Sequence, residues 1–101
     1  MNLKQKIILI AVIILSVIVI VLVNTWNNSR SESDGLRTYA EALEYYKDKD
    51  YHKAYKSFGK VSPKSTLKPA AIYRQARCAE MMQSNKLATK HYKQLIWRYP
   101  N

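Results

Sequence analysis

Few side chains in this sequence are of the types that perform catalysis or bind metals, and they stand far apart. The chain of 101 residues has two histidines, His52 and His91, and one cysteine, Cys78. They could be imagined as a metal or nucleophile set, but none of them has the spacing of metal ligands. Because His52 follows the expected core residue Tyr51 and His91 precedes Tyr92, both histidines are expected to face solvent. Cys78 is expected to be a small buried hydrophobe.

Acidic side chains and glycines form no catalytic pattern either. Glu41 and Glu44 share a helix face at i, i+3, which is ordinary for an exposed helix. The chain has only two glycines, so it offers no glycine-rich phosphate loop. We therefore predict that the protein is not an enzyme and has no catalytic residue, no metal site and no cofactor.

The N-terminal part has the composition of a membrane span. Residues 7–23 read IILIAVIILSVIVIVLV, in which Ser16 is the only polar side chain. As a helix this run covers roughly 25 Å, close to the hydrocarbon thickness of about 30 Å. Trp26 suits the headgroup region. Since a single segment in lipid must satisfy its own backbone, residues 7–26 are predicted to be a transmembrane signal-anchor helix.

The flanks of this helix favour one orientation. Lys4 and Lys6 lie in the short segment 1–6, which the positive-inside bias places in the cytoplasm. The rest of the chain is then extracytoplasmic. A cleaved signal peptide is the alternative, but the apolar run is longer than usual and no small-residue cleavage site follows it.

The remainder is predicted to be all-α. Residues 27–35 are polar and end in Asp34–Gly35, which indicates a linker with Asp34 as the N-cap of the next helix. The domain 36–101 then follows. Its pattern predicts four helices, over residues 36–47, 51–60, 69–82 and 86–98.

Residue types recur along this domain with an offset of about 34 residues, the period of a common helix-turn-helix repeat. Small residues fall on small ones and bulky residues on bulky ones, as when Ala54 and Phe58 are matched by Ala88 and Tyr92. Small residues allow two helices to approach, and the rings fill the space between pairs. The predicted packing seam comprises Tyr39, Ala42, Ala54, Phe58, Val61, Tyr73, Ala76, Ala88, Tyr92 and Leu95.

At these positions the chain resembles the tetratricopeptide repeat (TPR) family, over almost two repeats from Leu36 to Pro100. It is similar in particular to the divergent repeats of bacterial envelope proteins. The resemblance implies a protein-binding scaffold, and it suggests a bacterial inner membrane as the location. The departures from the family pattern are Glu41 and Gln75 in place of Leu, Ala79 in place of Tyr, Thr66 in place of Pro, and Val61 and Leu95 in place of Ala.

Neither the charge of the domain nor its exposed apolar residues identify the binding partner. The net charge is +10, and beyond Lys53 the only acid is Glu80. This surface is either simply solvated or attracts anionic lipid or an acidic partner, whereas nucleic acid is disfavoured because no binding motif is present. The candidate partner interface comprises Ile96, Trp97, Tyr99, Lys93 and Arg98. Either a partner or a second copy covers it, the chain is the front of a longer array, or Trp97 folds back on the Pro100 turn.

The leading hypothesis is a single-pass, membrane-anchored scaffold that binds protein through its repeats. One alternative is a structural subunit of a larger membrane complex, whose basic domain lies on lipid. Another is a mitochondrial import receptor, which the layout fits but the charge does not, because such receptors bind basic sequences.

Overall fold

The computed structural model describes residues 1–100, and this range contains four α-helices and no strand. They are α1 (Leu3–Lys47), α2 (Tyr51–Gly59), α3 (Lys68–Met81) and α4 (Asn85–Arg98). The chain divides into two compact units, Met1–Arg30 and a second unit that begins at Ser31. Asn101, the last residue of the predicted domain 36–101, lies outside the described residues.

The first unit is the apolar part of α1. The helix begins with a reciprocal cap, in which the Asn2 side chain accepts from the Gln5 amide at 2.9 Å and the Gln5 side chain accepts from the Asn2 amide at 3.2 Å. The most apolar window of α1 is 0% buried within the chain, unlike a core helix of a soluble protein. By length and composition α1 could span a membrane.

Polar groups along this unit are satisfied locally. The Ser16 hydroxyl donates to the Val12 carbonyl oxygen at 2.9 Å, so it brings no unpaired polar group into an apolar environment. The Arg30 guanidinium lies 5.6 Å from the centre of the Trp26 ring. An aromatic ring paired with a cation is the composition expected at the end of a span.

The predicted start of a separate helix at residue 36 was wrong, because α1 runs without a break through residues 27–35 to Lys47. Asp34 is not an N-cap and instead pairs with Arg37, one turn later, at 3.6 Å. Gly35 does not form a turn but is buried inside the helix. A Cβ atom on Gly35 would lie 2.9 Å from the Ser65 Cβ atom, so glycine lets α1 approach the loop between α2 and α3.

A second contact explains why the polar segment is helical. The Glu32 carboxylate accepts hydrogen bonds from the Thr66 amide at 2.8 Å and from the Thr66 hydroxyl at 2.9 Å. Residue 66 departs from the TPR pattern, where proline is expected. Proline has no N–H, so it could not make the first of these bonds. The helix and the loop therefore hold each other in place.

The remaining helix boundaries lie close to the predicted ones. The predicted end of the first helix at Lys47, start of the second at Tyr51 and end of the fourth at Arg98 are confirmed. α2 ends one residue early, at Gly59. Pro69 occupies the first turn of α3, as expected for a residue without an N–H.

The turns after α1 and α3 have the same geometry and are separated by the repeat offset. Lys49 has φ 62° and Gln83 has φ 61°. In each turn the next amide donates to the carbonyl five residues back, at 2.9 and 2.8 Å. This is the Schellman arrangement, which usually places glycine at the left-handed position. The lysine and glutamine therefore carry conformational strain.

We expect the double variant Lys49→Gly, Gln83→Gly to raise the free energy of unfolding by about 1 kcal/mol. Each glycine relieves about 1–2 kcal/mol of left-handed strain but adds freedom to the unfolded chain. Urea unfolding can be followed through the near-ultraviolet signal of the tyrosines, all of which lie in the second unit. Lys56→Gly, at an exposed position inside α2, should lower stability instead. A loss of stability in the double variant would contradict the turn assignment.

The core of the second unit is small and rich in alanine. Phe58, Ile72, Val61 and Cys78 are its largest fully buried side chains. Alanines let helices approach closely, and the larger side chains fill the space between them. The fully buried alanines are Ala42, Ala54, Ala71, Ala76 and Ala79.

Candidate protein-binding surface

The ten residues of the packing seam differ in how deeply they are buried. Ala42, Ala54, Phe58, Val61, Ala76 and Ala88 are buried. Tyr39, Tyr92 and Leu95 are partly buried. Tyr73 is 48% exposed and lies at the margin of the core.

Two ring pairs recur along the seam at the repeat offset. Tyr39 and Phe58 pack edge to face with ring centres 5.3 Å apart. Tyr73 and Tyr92 adopt the same arrangement at 6.3 Å. Edge-to-face contact is a favoured geometry for aromatic side chains. The second pair is more exposed, so the hydroxyl group that distinguishes Tyr92 from Phe58 can reach a polar partner.

That partner is Glu80, the only acid beyond Lys53. The Tyr92 hydroxyl donates to one Glu80 carboxylate oxygen at 3.0 Å, and the Arg77 guanidinium donates to the other. Burial, and then the hydrogen bond to Glu80, raises the pKa of Tyr92. The hydrogen bond with Tyr92, and then the charge of Glu80, raises the pKa of Arg77. Glu80 therefore joins Tyr92 and Arg77 in one hydrogen-bonded network beside the ring pair.

Arg74 joins α3 to the end of α1. Its guanidinium lies 5.2 Å from the centre of the Tyr46 ring. Hydrogen bonding to Tyr39 is the main cause that raises the pKa of Arg74. A delocalised cation can both stack on an aromatic ring and donate in its own plane, so this arginine is a structural contact.

The five residues of the candidate partner interface lie at the end of α4. Trp97 is 84% exposed and Ile96 is 66% exposed. Lys93 and Arg98 are exposed and Tyr99 is partly buried. Adjacent exposed aromatic and aliphatic side chains bordered by cations have the composition of an interaction patch. Because its side chain is so exposed, Trp97 is not covered by the Pro100 turn.

A basic stripe precedes this patch on α4. Lys86, Lys90 and Lys93 are exposed and follow at i, i+4 and i+7, so they share one helix face. Among residues 1–100, no carboxylate lies within 4.0 Å of these three ammonium groups. The stripe borders two open grooves, of about 440 and 520 Å³. It is therefore a solvated and electrostatically unsatisfied surface.

Lys68 adds a fixed cation to the groove of about 440 Å³. Its ammonium donates to the Val61 carbonyl oxygen at 2.9 Å and to the Gly59 carbonyl oxygen at 3.4 Å. Burial, and then the positive charge of Arg98, lowers the pKa of Lys68. The carbonyl groups at the end of α2 are thus satisfied by a side chain that also lines the groove.

The expectation that His91 faces solvent was wrong, because this side chain is only 7% exposed. Its Nε2 atom lies 2.7 Å from the Tyr55 hydroxyl and its Nδ1 atom lies 3.2 Å from the Gln94 side-chain oxygen. The amide oxygen can only accept, so in the neutral ring Nδ1 donates and Nε2 accepts from Tyr55. His52, in contrast, is exposed.

Gln75, another departure from the TPR pattern, is also buried. Its side-chain amide donates to the Tyr55 carbonyl oxygen at 3.2 Å. A leucine at this position could not make that bond. A Cβ atom on Gly59 would approach the same amide nitrogen to 2.8 Å, so glycine at the end of α2 leaves room for it. Gln75 and His91 thus form a polar, hydrogen-bonded floor of the groove that Lys68 lines.

Cys78 is buried, as the sequence predicted, and is a free thiol. Burial raises its pKa from 9.0 to about 11, an effect opposed in part by the positive charge of Arg74. The reactive thiolate is therefore scarce at neutral pH.

Three residues of this surface were not singled out from the sequence as site residues: Lys68, Gln75 and His91. A signal existed for the last two. His91 lies three residues after Ala88 and four before Leu95, both seam positions, so helical spacing places it on the buried side. Gln75 stands where the TPR pattern expects a buried leucine. Lys68 has no such signal, because its position depends on how the loop returns to the end of α2.

Comparison of the chain with models of known protein families, with curated proteins and with solved structures finds no match.

Proposed function

We propose that this protein is a single-pass, membrane-anchored TPR-like module that binds another protein chain at the end of α4. The observation that carries the proposal is the exposure of Trp97 and Ile96 beside Lys93 and Arg98, neither of which has a carboxylate within 4.0 Å among residues 1–100. Large aromatic side chains contribute much of the energy of protein interfaces. A buried, hydrogen-bonded floor beside them gives a rigid surface on which a partner can bind.

Two structural features support the TPR-like part of the proposal. The turns at Lys49 and Gln83 have the same backbone geometry, and the ring pairs Tyr39–Phe58 and Tyr73–Tyr92 pack in the same way. Both correspondences have the offset that is typical of this repeat. TPR-like helix pairs generally serve as scaffolds for protein binding.

The apolar part of α1 favours an anchor over a helix that packs inside a larger membrane complex. Such packing uses closely spaced small residues or polar side chains that bond to another helix. Ser16 is the only polar side chain of residues 7–23, and its hydroxyl already donates to Val12. Only Ala11 and Ser16 are small, and they are not spaced as small-xxx-small.

We place the second unit on the extracytoplasmic side of a bacterial inner membrane, because Lys4 and Lys6 adjoin the apolar run. Cysteine labelling tests this. In intact spheroplasts, a membrane-impermeant maleimide should label Ser31→Cys, whereas wild-type Cys78 should react much more slowly at neutral pH, because its thiol is buried and its pKa is raised to about 11. The Cys78 rate should still rise above pH 9, because its thiolate forms only near pH 11. Labelling of Ser31→Cys only after permeabilisation would reverse the orientation.

Partner binding can be tested by affinity purification of the full chain from detergent-solubilised membranes. Trp97→Ala should remove the co-purifying protein, because it removes the most exposed aromatic side chain of the patch. Leu36→Ala is a matched control, since Leu36 is a 61% exposed apolar side chain elsewhere in the second unit. Equal recovery of the partner with both variants would refute the assigned surface.

A further inference from the structure

An acidic stripe on the second unit has the spacing of the basic stripe of α4 in reverse order. Glu41 and Glu44 lie near the end of α1, and Asp48 directly follows the helix, so the three acids stand at i, i+3 and i+7. The Asp48 amide still donates to the Glu44 carbonyl oxygen at 3.1 Å, which continues the helical path. Helical spacing puts them on one face. Among residues 1–100, neither Glu41 nor Asp48 has a cation within 4.0 Å. Glu44 pairs with Lys47 at 3.7 Å, but both side chains are at least 70% exposed, so the pair is weak and exchangeable.

The two stripes match when one helix is reversed. Read backwards along α4, the lysines follow as Lys93, Lys90 and Lys86, with steps of three and four residues. The acids along α1 also follow with steps of three and then four residues. In antiparallel helices, charges at these steps meet at roughly 4.5 and 10.5 Å along the common axis. The matched pairs are Glu41 with Lys93, Glu44 with Lys90, and Asp48 with Lys86.

These pairs do not form within one chain. All four ion pairs among the described residues join positions three apart on the same helix or at its cap. Both stripes are therefore available to meet charges on another molecule. Copies anchored in one membrane are held at high local concentration, which allows weak, exposed charge pairs to act together.

We propose that the basic stripe of one copy binds the acidic stripe of a second copy, with α4 and the end of α1 antiparallel. This inference rests on the proposed function, whose binding surface it extends along α4 and to which it assigns a partner. The grooves beside the stripe leave space for the facing helix. An acidic helix lying along such a surface is a common mode of recognition, and complementary charges fix its register.

A zero-length carbodiimide reagent tests the contact directly, because it couples a carboxylate only to an amine in contact with it. Isotopically heavy and light full-length chains are mixed in vesicles of neutral phosphatidylcholine. We expect cross-links from Glu41 to Lys93 and from Glu44 to Lys90 that join heavy to light chains. The yield should fall toward about 0.5 M salt, which screens exposed charges. Absence of these mixed cross-links would overturn the proposal.

Charge exchange supplies the specific control, read from the Glu41–Lys93 cross-link, whose reacting groups both variants keep. Glu44→Lys and Lys90→Glu should each lower the yield of this cross-link about fivefold, since each replaces attraction by repulsion of similar size. Mixing the two variants should restore it, because each charge again meets its opposite. Lys60→Glu, an exposed lysine outside both grooves, should leave the yield unchanged. Failure of the mixture to recover would also overturn the proposal.

The remaining outcomes separate this inference from the function on which it rests. If cross-links are absent while Trp97→Ala still abolishes capture of a different protein, self-association is overturned and the proposed function stands. If the stripe lysines are instead protected from amine reagents only in phosphatidylglycerol vesicles, the stripe binds lipid and self-association is again overturned. If neither cross-linking nor Trp97-dependent capture occurs, both proposals fail.

Discussion

Replacing Phe58 by alanine is expected to lower the free energy of unfolding of the second unit by about 3–5 kcal/mol, the usual cost of removing a fully buried aromatic side chain. Phe58 is 0% exposed and packs on Tyr39. A unit of this size is stabilised by only about 4–10 kcal/mol in total. The variant should therefore be close to unfolding at body temperature, although the apolar part of α1 remains helical.

Cys78 provides a probe that is specific to this unit. Its thiol is buried in α3, so it reacts with maleimide at neutral pH mainly when the unit unfolds. Pulse labelling across a urea series of the full chain in detergent gives the unfolding midpoint. Tyr92→Phe is the matched control at the position 34 residues further along the chain, and it should cost only about 1 kcal/mol, since it removes one hydroxyl hydrogen bond. Equal losses from both variants would contradict the core described above.

Gly35→Ala is expected to lower the free energy of unfolding by about 1–2 kcal/mol, although the same change in an unconstrained helix should raise it by about 1 kcal/mol. The new Cβ atom would lie 2.5 Å from the Ser65 Oγ atom and 2.9 Å from its Cβ atom. Ser65 is 4% exposed, and its hydroxyl accepts from the Leu67 amide at 3.1 Å. Rotating the hydroxyl would lose that bond and leave the Cβ contact in place.

The sign of the change in unfolding free energy distinguishes a helix packed against the loop from the linker that the sequence predicted for this segment. Ser33→Ala, at an exposed position of the same helix, should be neutral or slightly stabilising. In a Ser65→Gly background, Gly35→Ala should cost less, because both crowding atoms are gone. An increase in stability for Gly35→Ala in the wild-type chain would mean that this part of α1 does not contact the loop.

The sequence was a good guide where the signals are local. Apolar spacing and turn residues predicted the end of α1 at Lys47 and the start of α2 at Tyr51, both of which are confirmed. It was a poor guide at Gly35, where the same dipeptide that is typical of a turn is instead a close helix–loop contact. Glu32 and Gly35 contact a loop that is distant along the chain, and short-range sequence patterns carry no information about such contacts.

The candidate protein-binding surface was also predicted only in part. Ile96 and Trp97 were assigned to the patch because consecutive apolar residues cannot all face one core, and both are highly exposed. The burial of His91 was not predicted from the sequence, because only the neighbouring Tyr92 was placed in the core. Tyr92 is only partly buried, and its hydroxyl needs Glu80, so the imidazole takes the more enclosed site beside Tyr55.

Photo-cross-linking in native membranes tests the central claim, that a protein chain binds the end of α4. A benzophenone amino acid is placed in the full chain at position 96, beside the intact Trp97, and, in a separate variant, at position 36; the native side chains at both positions are exposed. Irradiation should give one discrete protein adduct at position 96 and none of the same mass at position 36. Because benzophenone reacts only with groups in contact, no adduct at position 96, or the same adducts at both positions, would contradict the account.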